Sequence, residues 1–371
     1  MSRGVHLGFL SEGSEFRIPL SHFGFHFGFY GVTGSGKTRA AMKLAIEAEK
    51  AGLKLLILDV EGEWKNIIPH FKGEAEYYST DHNLKINPFE LNDYGLVETI
   101  LRETIFKGIE LESQDISPQM NYVLDKCIQS STSIPTLIDS VMSYEEENLP
   151  FRLVNLDRTK TALLVRLEPY KSNPVLNEIF YTESSSIDLD RLDTKNIVID
   201  LHSLEAQVAY RTELRLIYNA VAIAYLKLAL HREVSDAVTN LFIADEAQLL
   251  VPKILRKILI TDTHLSTEFS SRLRKRRQSI AIITQSPFNI EDDLRKNCLN
   301  TFVFRLQDAK DIELVARSVG YNWYTALDYF TREISNLKQR QALVKTPLVS
   351  EPFIITAPEA SGWRCRAFQE T

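Results

Sequence analysis

"FYGVTGSGKT", residues 29–38, is the stretch that decides the fold class of this 371-residue chain. Gly31, Gly36, Lys37 and Thr38 match the spacing G-x-x-x-x-G-K-S/T of a phosphate-binding loop. An extended stretch precedes the loop and a stretch with helical periodicity follows it, which is the context that such a loop requires. Glycines allow backbone N–H groups to turn toward phosphate oxygens, and the helix N-terminus favours negative charge. We therefore predict a nucleotide site here.

The loop residues have separate predicted roles. Lys37 is expected to reach the β- and γ-phosphate oxygens of ATP, and the Thr38 hydroxyl is expected to bind Mg²⁺. The alternative is a glycine-rich turn with only a structural role. The residues predicted to contact the nucleotide are Gly31, Thr33, Gly34, Ser35, Gly36, Lys37, Thr38 and Arg39.

Apolar runs of strand length recur along the chain. Residues 53–59 follow the predicted helix, and four later runs cover 196–201, 240–247, 279–286 and 301–306. Continuous apolar runs are typical of parallel strands covered on both faces, and helical stretches lie between these runs. The sequence therefore predicts an α/β protein with a doubly wound, mainly parallel sheet.

Four segments make up the predicted domain organisation. Residues 93–190, with helical periods, scattered prolines and the polar stretch "TESSS", are predicted to be a mostly helical insertion. This insertion divides a core made of residues 24–92 and 191–345. Residues 1–23 are a short N-terminal extension, and residues 346–371 are predicted to be an extended arm with the character of an edge strand.

The stretch just before the phosphate loop is predicted to be extended from residue 16 to residue 30. In "HFGFHFGFY", Phe23, Phe25, Phe27 and Phe29 alternate with His or Gly, so a strand would place all four rings on one face.

Composition limits the classes of partner and location. The formal net charge of −6 gives no overall attraction for nucleic acid, so only a local basic lining could bind it. Three well-separated cysteines offer neither a disulfide framework nor a metal site. The longest apolar stretch, residues 217–230, is interrupted by Asn219 and Lys227 and is too short for a membrane span. With no secretory signal visible, we expect a cytoplasmic protein.

Polar side chains follow two of the predicted strands. In "NLFIADEAQLL", residues 240–250, an apolar run ends at Asp245 and Glu246. Where such a strand lies beside the phosphate-loop strand, Asp245 is expected to hold the metal and Glu246 to take a proton from an attacking water, which favours a hydrolase over a kinase. One strand later, Gln285 is predicted to touch the γ-phosphate or to orient water. The alternatives are solvated acids at a strand end and a plain strand cap.

A basic run precedes that later strand in "SSRLRKRRQS", residues 270–279. Three interpretations remain open. The run could be a solvated helix end, it could supply an arginine finger to a neighbouring subunit, or it could contact the phosphates of a nucleic acid.

The order of these motifs resembles a known family. "FHFGFYGVTGSGKT", "LILDVEGEW", "INPFEL", "IVIDL", "LFIADEAQLLVP", "RLRKRRQSIAIITQSP" and "FVFRLQD" are similar, in sequence and order, to the HerA helicases of the HerA/FtsK superfamily. The conjugation ATPases of type IV secretion look like near relatives. The match runs from about residue 24 to residue 350 and is thin across 93–190. It implies a RecA-like P-loop NTPase core with an α-helical insertion, assembled as a hexameric ring that hydrolyses ATP to move double-stranded DNA through its pore.

The resemblance also implies residue roles. Lys37 and Thr38 would bind ATP and Mg²⁺, Asp245 would support the metal, Glu246 would be the base and Gln285 the sensor. Asp59 and Glu63 look like the acid pair that the family carries after its second strand, near the nucleotide or the subunit contact. Arg274, where the family often has "GRK" rather than "LRK", is the preferred finger across the interface, and Arg305 is the second candidate.

The sequence departs from the family pattern in two places, and the first affects the expected partners. Family members usually carry a β-barrel before the phosphate loop, which helps ring assembly and docking of the NurA nuclease. Only a short segment precedes the loop strand here, so the barrel is expected to be absent or vestigial. "DEAQ" also replaces the more common "DEAH", which leaves both acids intact.

Three functions are compatible with the sequence. The leading one is an ATP-hydrolysing ring motor for double-stranded DNA, and a NurA-type nuclease is a candidate partner. The second is an ATP-dependent oligomeric switch that regulates a partner protein without moving DNA, favoured by the short N-terminal segment and the negative charge. The third, a small-molecule kinase, does not explain a base such as Glu246.

Overall fold

The structure is a computed structural model, and it describes residues 4–91, 117–145, 155–205, 211–232, 238–250, 273, 276, 278–320 and 324–359. The strands are β1 (Gly4–Leu10), β2 (Glu15–Pro19), β3 (Phe27–Tyr30), β4 (Lys54–Asp59), β5 (Ala75–Ser79), β6 (Asn196–Asp200), β7 (Asn240–Ala244), β8 (Ser279–Thr284), β9 (Asn300–Val303), β10 (Gln341–Lys345) and β11 (Phe353–Thr356). They form one sheet in the order β2-β1-β11-β10-β9-β3-β8-β7-β4-β6-β5.

The helices described in the chain lie between these strands. They are α1 (Lys37–Lys50), α2 (Pro118–Gln129), α3 (Ile134–Ser143), α4 (Leu156–Leu167), α5 (Pro169–Ser172), α6 (Pro174–Phe180), α7 (His202–Glu205), α8 (Arg211–His231), α9 (Asp292–Asn297), α10 (Ala309–Val319) and α11 (Tyr324–Asn336). Short 3-10 helices cover Leu20–Phe25, Trp64–His70, Pro88–Leu91, Leu189–Asp193, Ala247–Leu249 and Pro287–Asn289. No helix in the described residues has the length and apolar character needed to cross a membrane.

The centre of the sheet is parallel. β9, β3, β8, β7, β4 and β6 are successive parallel neighbours, as the residue pairs Phe29↔Ile283 and Ile57↔Ile243 illustrate. Every residue of β3, β6, β7 and β8 is buried, which is why these strands read as continuous apolar runs in the sequence. The predicted fold class, a doubly wound and mainly parallel sheet, is confirmed.

Helix α1 packs against one face of this sheet. Its apolar residues recur at helical spacing, and Ala41, Leu44, Ala45 and Ala48 are all fully buried in a core shared with β3, β4, β7 and β8. Gly52, with φ 105°, takes the left-handed conformation that follows the end of the helix. This buried face holds α1, which begins directly after the phosphate loop, against the sheet.

The strand order decides which side chains can meet at the carboxyl edge of the sheet. β8 lies between β3 and β7, so the strand that ends at Asp245 and Glu246 is not the direct neighbour of the phosphate-loop strand. Parallel strands end at the same edge, and Gln285, which follows β8, therefore lies between the loop and the two acids.

The extended prediction for residues 16–30 is wrong in its middle part, although both ends of the stretch are strands. Residues Leu20–Phe25 form a 3-10 helix, and β3 begins only at Phe27. The chain turns at His26, which is fully buried with φ 52°, and the ring of Phe23 packs edge-on against Phe27 at 4.9 Å between centroids. Burial of Phe23 beside Phe27 therefore replaces the alternation that a continuous strand would show.

The C-terminal arm is also placed differently from the prediction. β11 pairs with β10 on one side and with β1 on the other, both antiparallel, so it is an interior strand and not an edge strand. β1 in turn pairs with β2, which forms the end of the sheet. The segments before and after the central strands thus extend the same sheet, because each supplies backbone partners for the other.

The chain divides into two compact units. The first comprises Met1–Tyr77, Asp190–Asp200 and Leu228–Thr371, and it holds the phosphate loop and the central strands. The second comprises Tyr78–Leu189 and Leu201–Lys227, so it begins before the predicted insertion and includes residues after it. Four of its described helices begin with side-chain caps: the Ser117, Ser133, Asn155 and Asn173 side chains each accept a bond from a first-turn backbone N–H.

Candidate nucleotide site

The phosphate loop has the backbone that an anion-binding loop requires. Gly34 has φ 76° and Gly36 has φ 108°, a left-handed conformation that costs free energy for residues with a Cβ atom. Gly36 caps α1, and Lys37 is the first residue of that helix. The loop therefore runs directly into a helix N-terminus, where the positive end of the helix dipole favours phosphate.

A cavity of about 300 Å³ lies against this loop. Its walls contain six of the eight residues that the sequence predicts to contact a nucleotide, together with Gln285. The lining residues are Thr33, Gly34, Gly36, Lys37, Thr38, Arg39, Glu61, Glu63, Gln285, Gln339, Arg340, Ala357 and Pro358.

The other two loop residues face the protein interior. Ser35 is buried, and its Oγ donates to the carbonyl of Val32 at 2.6 Å. Gly31 leaves no room for a side chain, because a Cβ atom there would lie 2.6 Å from Cβ of Phe304. The structure gives both residues a role in closing the loop and none at the cavity wall.

Glu246 is linked to the cavity by a chain of hydrogen bonds. Gln285 Nε2 donates to Glu246 Oε1 at 3.2 Å, and Thr33 Oγ1 donates to Gln285 Oε1 at 3.0 Å. The other carboxylate oxygen of Glu246 accepts from Gln248 Nε2, and Gln248 Oε1 accepts from Thr284 Oγ1 at 2.8 Å. Two amide groups therefore hold one carboxylate beside the phosphate loop.

The backbone of Glu246 is unusual. The residue has φ 48° and ψ 53°, a left-handed conformation that is uncommon outside glycine, asparagine and aspartate. Its own N–H donates to Oδ1 of Asp245 at 3.2 Å. Such conformations persist only where the surrounding structure enforces them, and here the turn brings the carboxylate to Gln285.

Asp245 lies behind this chain and does not line the cavity. Its carboxylate is buried and accepts from the indole N–H of Trp64 at 3.1 Å. Burial raises the pKa of Asp245 well above its usual value, and the neighbouring charges of Asp59 and Glu246 raise it further.

Asp59 ends β4 and is a second buried acid. Its two carboxylate oxygens accept from the backbone N–H groups of Gly62 and Trp64 at 2.7 and 2.8 Å. These bonds shape the loop that carries Glu63 to the cavity wall. Burial raises the pKa of Asp59 to about 7, and the charge of Asp200 adds to this shift, while both backbone bonds lower it.

The raised pKa of Asp59 predicts a pH dependence of stability. Between its unfolded pKa of 3.8 and its folded pKa of about 7, the carboxyl is ionised only after unfolding, so rising pH favours the unfolded state. We expect wild type to lose ~2–4 kcal/mol of unfolding free energy relative to an Asp59→Asn variant between pH 4 and pH 8. Urea denaturation of both proteins across this range measures the difference. A difference that stays constant with pH would contradict this placement of Asp59.

The oxygen donors at the cavity fit a nucleotide-borne Mg²⁺. Thr38, Glu61 and Glu63 line the wall, and Mg²⁺ binds oxygen ligands, commonly one or two protein groups together with phosphate oxygens. Among the described residues, no group of three His, Cys, Asp or Glu side chains could hold a metal by itself. The donor set therefore suits an ion that arrives with its phosphates.

The two predicted finger arginines have different outcomes. Arg305 follows β9 with an exposed side chain, and its carbonyl accepts from the N–H of Val32 at 3.0 Å. The backbone of Arg305 therefore contacts the phosphate loop of its own chain. Arg274 lies outside the described residues.

Some residues of the cavity wall were missed by the sequence reasoning. Gln339, Arg340, Ala357 and Pro358 line it, although they lie about three hundred residues after the loop in the chain. The sequence offers no motif there, only a polar turn before β10. Glu61 was also missed, although it lies between Asp59 and Glu63 in "DVEGEW".

Comparison with known proteins decides the family. Residues 5–220 match the family described as "Helicase HerA, central domain". The chain belongs to the HerA central-domain family. The resemblance inferred from the motifs is thereby confirmed, and it places this HerA-family chain among the P-loop ATPases of the HerA/FtsK type.

A curated relative shares most of this chain. The protein named "Probable helicase MJ1565", from Methanocaldococcus jannaschii, is 20% identical over an alignment 363 residues long, and the alignment covers 91% of the HerA-family chain. The chain spans 63% of the length of that relative.

Solved structures share the fold. VirB4 of Thermoanaerobacter pseudethanolicus superposes with a TM-score of 0.71 at 18% identity, covering 97% of this chain and 98% of that one. The conjugative coupling protein TrwBΔN70 in its unbound form has a TM-score of 0.63 at 14% identity, covering 92% and 87%. TrwB in complex with ADP and Mg²⁺ has a TM-score of 0.61 at 14% identity, with the same coverage. The HerA-family chain therefore has the RecA-like P-loop ATPase fold.

Proposed function

We propose that this protein is an ATP-hydrolysing ring motor that translocates or unwinds double-stranded DNA. The observation that carries the proposal is the hydrogen-bond chain from Glu246 through Gln285 to Thr33 of the phosphate loop. It joins a carboxylate to the cavity wall at the carboxyl edge of the sheet, where ligands of such sheets bind. A protein that only binds nucleotide has no need of a carboxylate held there.

The proposed mechanism assigns a role to each group. The loop N–H groups and Lys37 would hold the phosphates of ATP, and the Thr38 hydroxyl, supported by Asp245, would hold Mg²⁺. When bound, Mg²⁺ neutralises charge on the phosphate oxygens. Gln285 orients a water, and Glu246 takes its proton as the oxygen attacks the γ-phosphorus and the bond to the β-phosphate oxygen breaks.

The buried environment of these groups supports that assignment. Lys37 and Glu246 are both buried, and Gln248 and Gln285 fix the Glu246 carboxylate before any substrate arrives. Charged groups interact more strongly in such a site than in water, and fixed dipoles need no reorganisation during the reaction. Positioning of the base is thus built into the free protein.

DNA as the substrate and a ring as the assembly rest on the family. The curated relative is named a probable helicase, and TrwB is named a plasmid coupling protein. By analogy, one subunit would complete the site of the next, with Arg274 or Arg305 as the finger that reaches the neighbour's nucleotide. A NurA-type nuclease is a candidate partner on the same grounds.

DNA-stimulated hydrolysis tests the proposal. We expect ATP turnover to rise severalfold with long duplex DNA and to rise less as the duplex is shortened, because a translocating motor keeps hydrolysing along its track. Steady-state phosphate release over a series of duplex lengths measures this effect. Particle mass with duplex DNA and a non-hydrolysable ATP analogue should match a closed ring. Turnover that ignores DNA but responds to a partner protein would favour the oligomeric switch instead.

A further inference from the structure

The turn between α11 and β10 touches the phosphate loop. The backbone N–H of Arg340 donates to the carbonyl of Ser35 at 2.9 Å, and Gln339 Nε2 donates to the carbonyl of Gly34 at 3.2 Å. The approach is close, because a Cβ atom on Gly36 would lie 3.3 Å from Cα of Arg340. Two successive carbonyls of the loop therefore have their donors on one distant turn.

These two bonds matter for the direction in which the loop peptides point. A loop that turns its N–H groups toward an anion must turn the carbonyls of the same peptides away from it. Those carbonyls need donors of their own, since an unpaired buried carbonyl costs free energy. The N–H of Arg340 supplies such a donor at the buried Ser35, whose carbonyl belongs to the same peptide as the N–H of Gly36. Gln339 adds a bond to the exposed Gly34, whose peptide N–H, that of Ser35, donates to the carbonyl of Val32 at 3.2 Å.

The turn is itself anchored to the segment that follows β11. The Arg340 guanidinium donates to the carbonyl of Ala357 through Nε at 3.0 Å and Nη2 at 2.9 Å, and through Nη1 to Glu359 Oε1 at 2.7 Å. The N–H of Ala357 donates back to the carbonyl of Arg340 at 2.8 Å. Arg340 therefore makes contacts to the loop by its backbone and to residues 357–359 by its side chain.

The conformation of Arg340 shows that these contacts constrain it. Its φ is 71°, in the left-handed region that a residue with a side chain adopts only when the surrounding structure requires it. Removing the guanidinium removes the three bonds that hold the turn in this state. The donors to Gly34 and Ser35 would then be held to residues 357–359 only by the bond from the N–H of Ala357 to the carbonyl of Arg340.

We propose that Gln339 and Arg340 are positioning residues of the nucleotide site, which hold the phosphate loop in its anion-binding conformation before the nucleotide binds. Arg340 makes this conformation depend on the segment at 357–359. The proposal rests on the proposed function only in taking this cavity as a nucleotide site. It does not depend on hydrolysis or on DNA.

The test measures nucleotide affinity without turnover. Wild type, Arg340→Ala and Gln339→Ala are titrated with fluorescent N-methylanthraniloyl-ADP and Mg²⁺. We expect the dissociation constant to rise about tenfold for Arg340→Ala and about threefold for Gln339→Ala, since each loses hydrogen bonds that pre-organise the loop. The KM for ATP should rise in parallel while kcat stays close to that of wild type, because neither side chain contacts the reacting atoms.

A matched control separates positioning from general stability. Arg317→Ala removes a surface arginine that pairs with Glu313 at 2.7 Å, the same distance as the Arg340–Glu359 pair, but on α10 and away from the cavity. It should leave ADP affinity unchanged. Arg340→Lys should recover part of the affinity, since an ammonium can replace some of the lost bonds but not the whole fork of donors.

The outcomes are distinguishable from those for the motor. Unchanged ADP affinity in both Gln339→Ala and Arg340→Ala would overturn the positioning role. So would unchanged affinity in Gln339→Ala if Arg317→Ala lost as much affinity as Arg340→Ala. If Arg340→Ala fails to fold, Gln339→Ala alone decides, because its side chain is exposed and makes a single bond to the loop. ADP affinity that follows the prediction in a protein that does not hydrolyse ATP would overturn the motor and leave the positioning role supported.

Discussion

Replacing Glu246 by glutamine should lower ATP turnover by about 10²–10⁴-fold, the range that a general base contributes, while nucleotide still binds. Glutamine keeps the size of the side chain and can still accept from Gln285 or Gln248, but it cannot take a proton from water. Binding should persist because the phosphate loop and Lys37 are unchanged. Single-turnover phosphate release measures the loss, and titration with the fluorescent ADP analogue measures the retained affinity.

The matched control for this change is Glu313→Gln. Glu313 is an exposed glutamate on α10 that pairs with Arg317 at 2.7 Å. It lies outside the site, so its replacement should leave turnover at the level of wild type. Normal turnover in Glu246→Gln would show that another group activates the water, and the proposed mechanism would then fail at its central residue.

Gln285→Ala tests whether turnover depends on the orientation of the Glu246 carboxylate as well as on its presence. Gln285 contacts both Glu246 and Thr33, so its removal should lower turnover without removing the base itself. We expect a smaller loss than in Glu246→Gln, because the carboxylate keeps its bond from Gln248. Equal losses in the two variants would indicate that the carboxylate acts only when Gln285 orients it.

Replacing Lys37 by alanine should abolish turnover by preventing productive binding of the nucleotide. Lys37 is the buried first residue of α1, and it lines the cavity. Hydrogen bonds between charged groups contribute ~1.5–3 kcal/mol each, so losing the contact to phosphate should weaken ADP binding by about 10–100-fold. Titration with the same fluorescent analogue measures this loss directly.

Lys43→Ala is the matched control on the same helix. Lys43 pairs with Glu47 at 2.8 Å, one turn apart on α1, and does not line the cavity. Its replacement tests whether any lysine-to-alanine change in α1 weakens binding, and we expect ADP affinity to be unchanged. Wild-type affinity in Lys37→Ala would show that the cavity is not the phosphate site.

Lys37→Ala also tests the shared site between subunits. A Lys37→Ala subunit keeps its arginines, so it can complete a neighbour that carries Arg274→Ala but has an intact phosphate loop. Mixing the two inactive variants should therefore restore part of the turnover if Arg274 acts in trans. The same mixture with Arg305→Ala distinguishes the two candidates. Activity that stays absent in both mixtures would place each arginine in a cis or structural role.

Several features of the fold were accessible from short stretches of sequence. The runs at 53–59, 196–201, 240–247 and 279–286 became β4, β6, β7 and β8 with small changes of boundary. They could be predicted because a strand buried on both faces must be apolar along its whole length. The alternating phenylalanines before the loop led to the wrong prediction of a continuous strand. Alternate residues share one face only where the backbone is extended, and the turn at His26 interrupts the extended backbone.

The site itself was only partly predictable. The loop residues and the acids are adjacent in sequence within their own motifs, and the chemistry of each motif can be recognised there. Gln339 and Arg340 carry no such signal, because their role comes from a backbone N–H and a side-chain amide that happen to meet loop carbonyls more than three hundred residues away. Contacts of that kind depend on where a turn lies in space and leave no pattern of residue types.

The sequence by itself determined the local physics of this protein: glycines where the loop needs a left-handed backbone, a lysine and a threonine at the start of a helix, and apolar strands that end in acids. Only the tertiary structure decided that β8 separates β3 from β7, which brings Gln285 between the loop and Glu246, and that β11 lies inside the sheet. The physical reason is the distance along the chain over which the interactions act. Backbone preference and apolar periodicity act over a few neighbouring residues, whereas strand order and long-range hydrogen bonds depend on how the whole core packs.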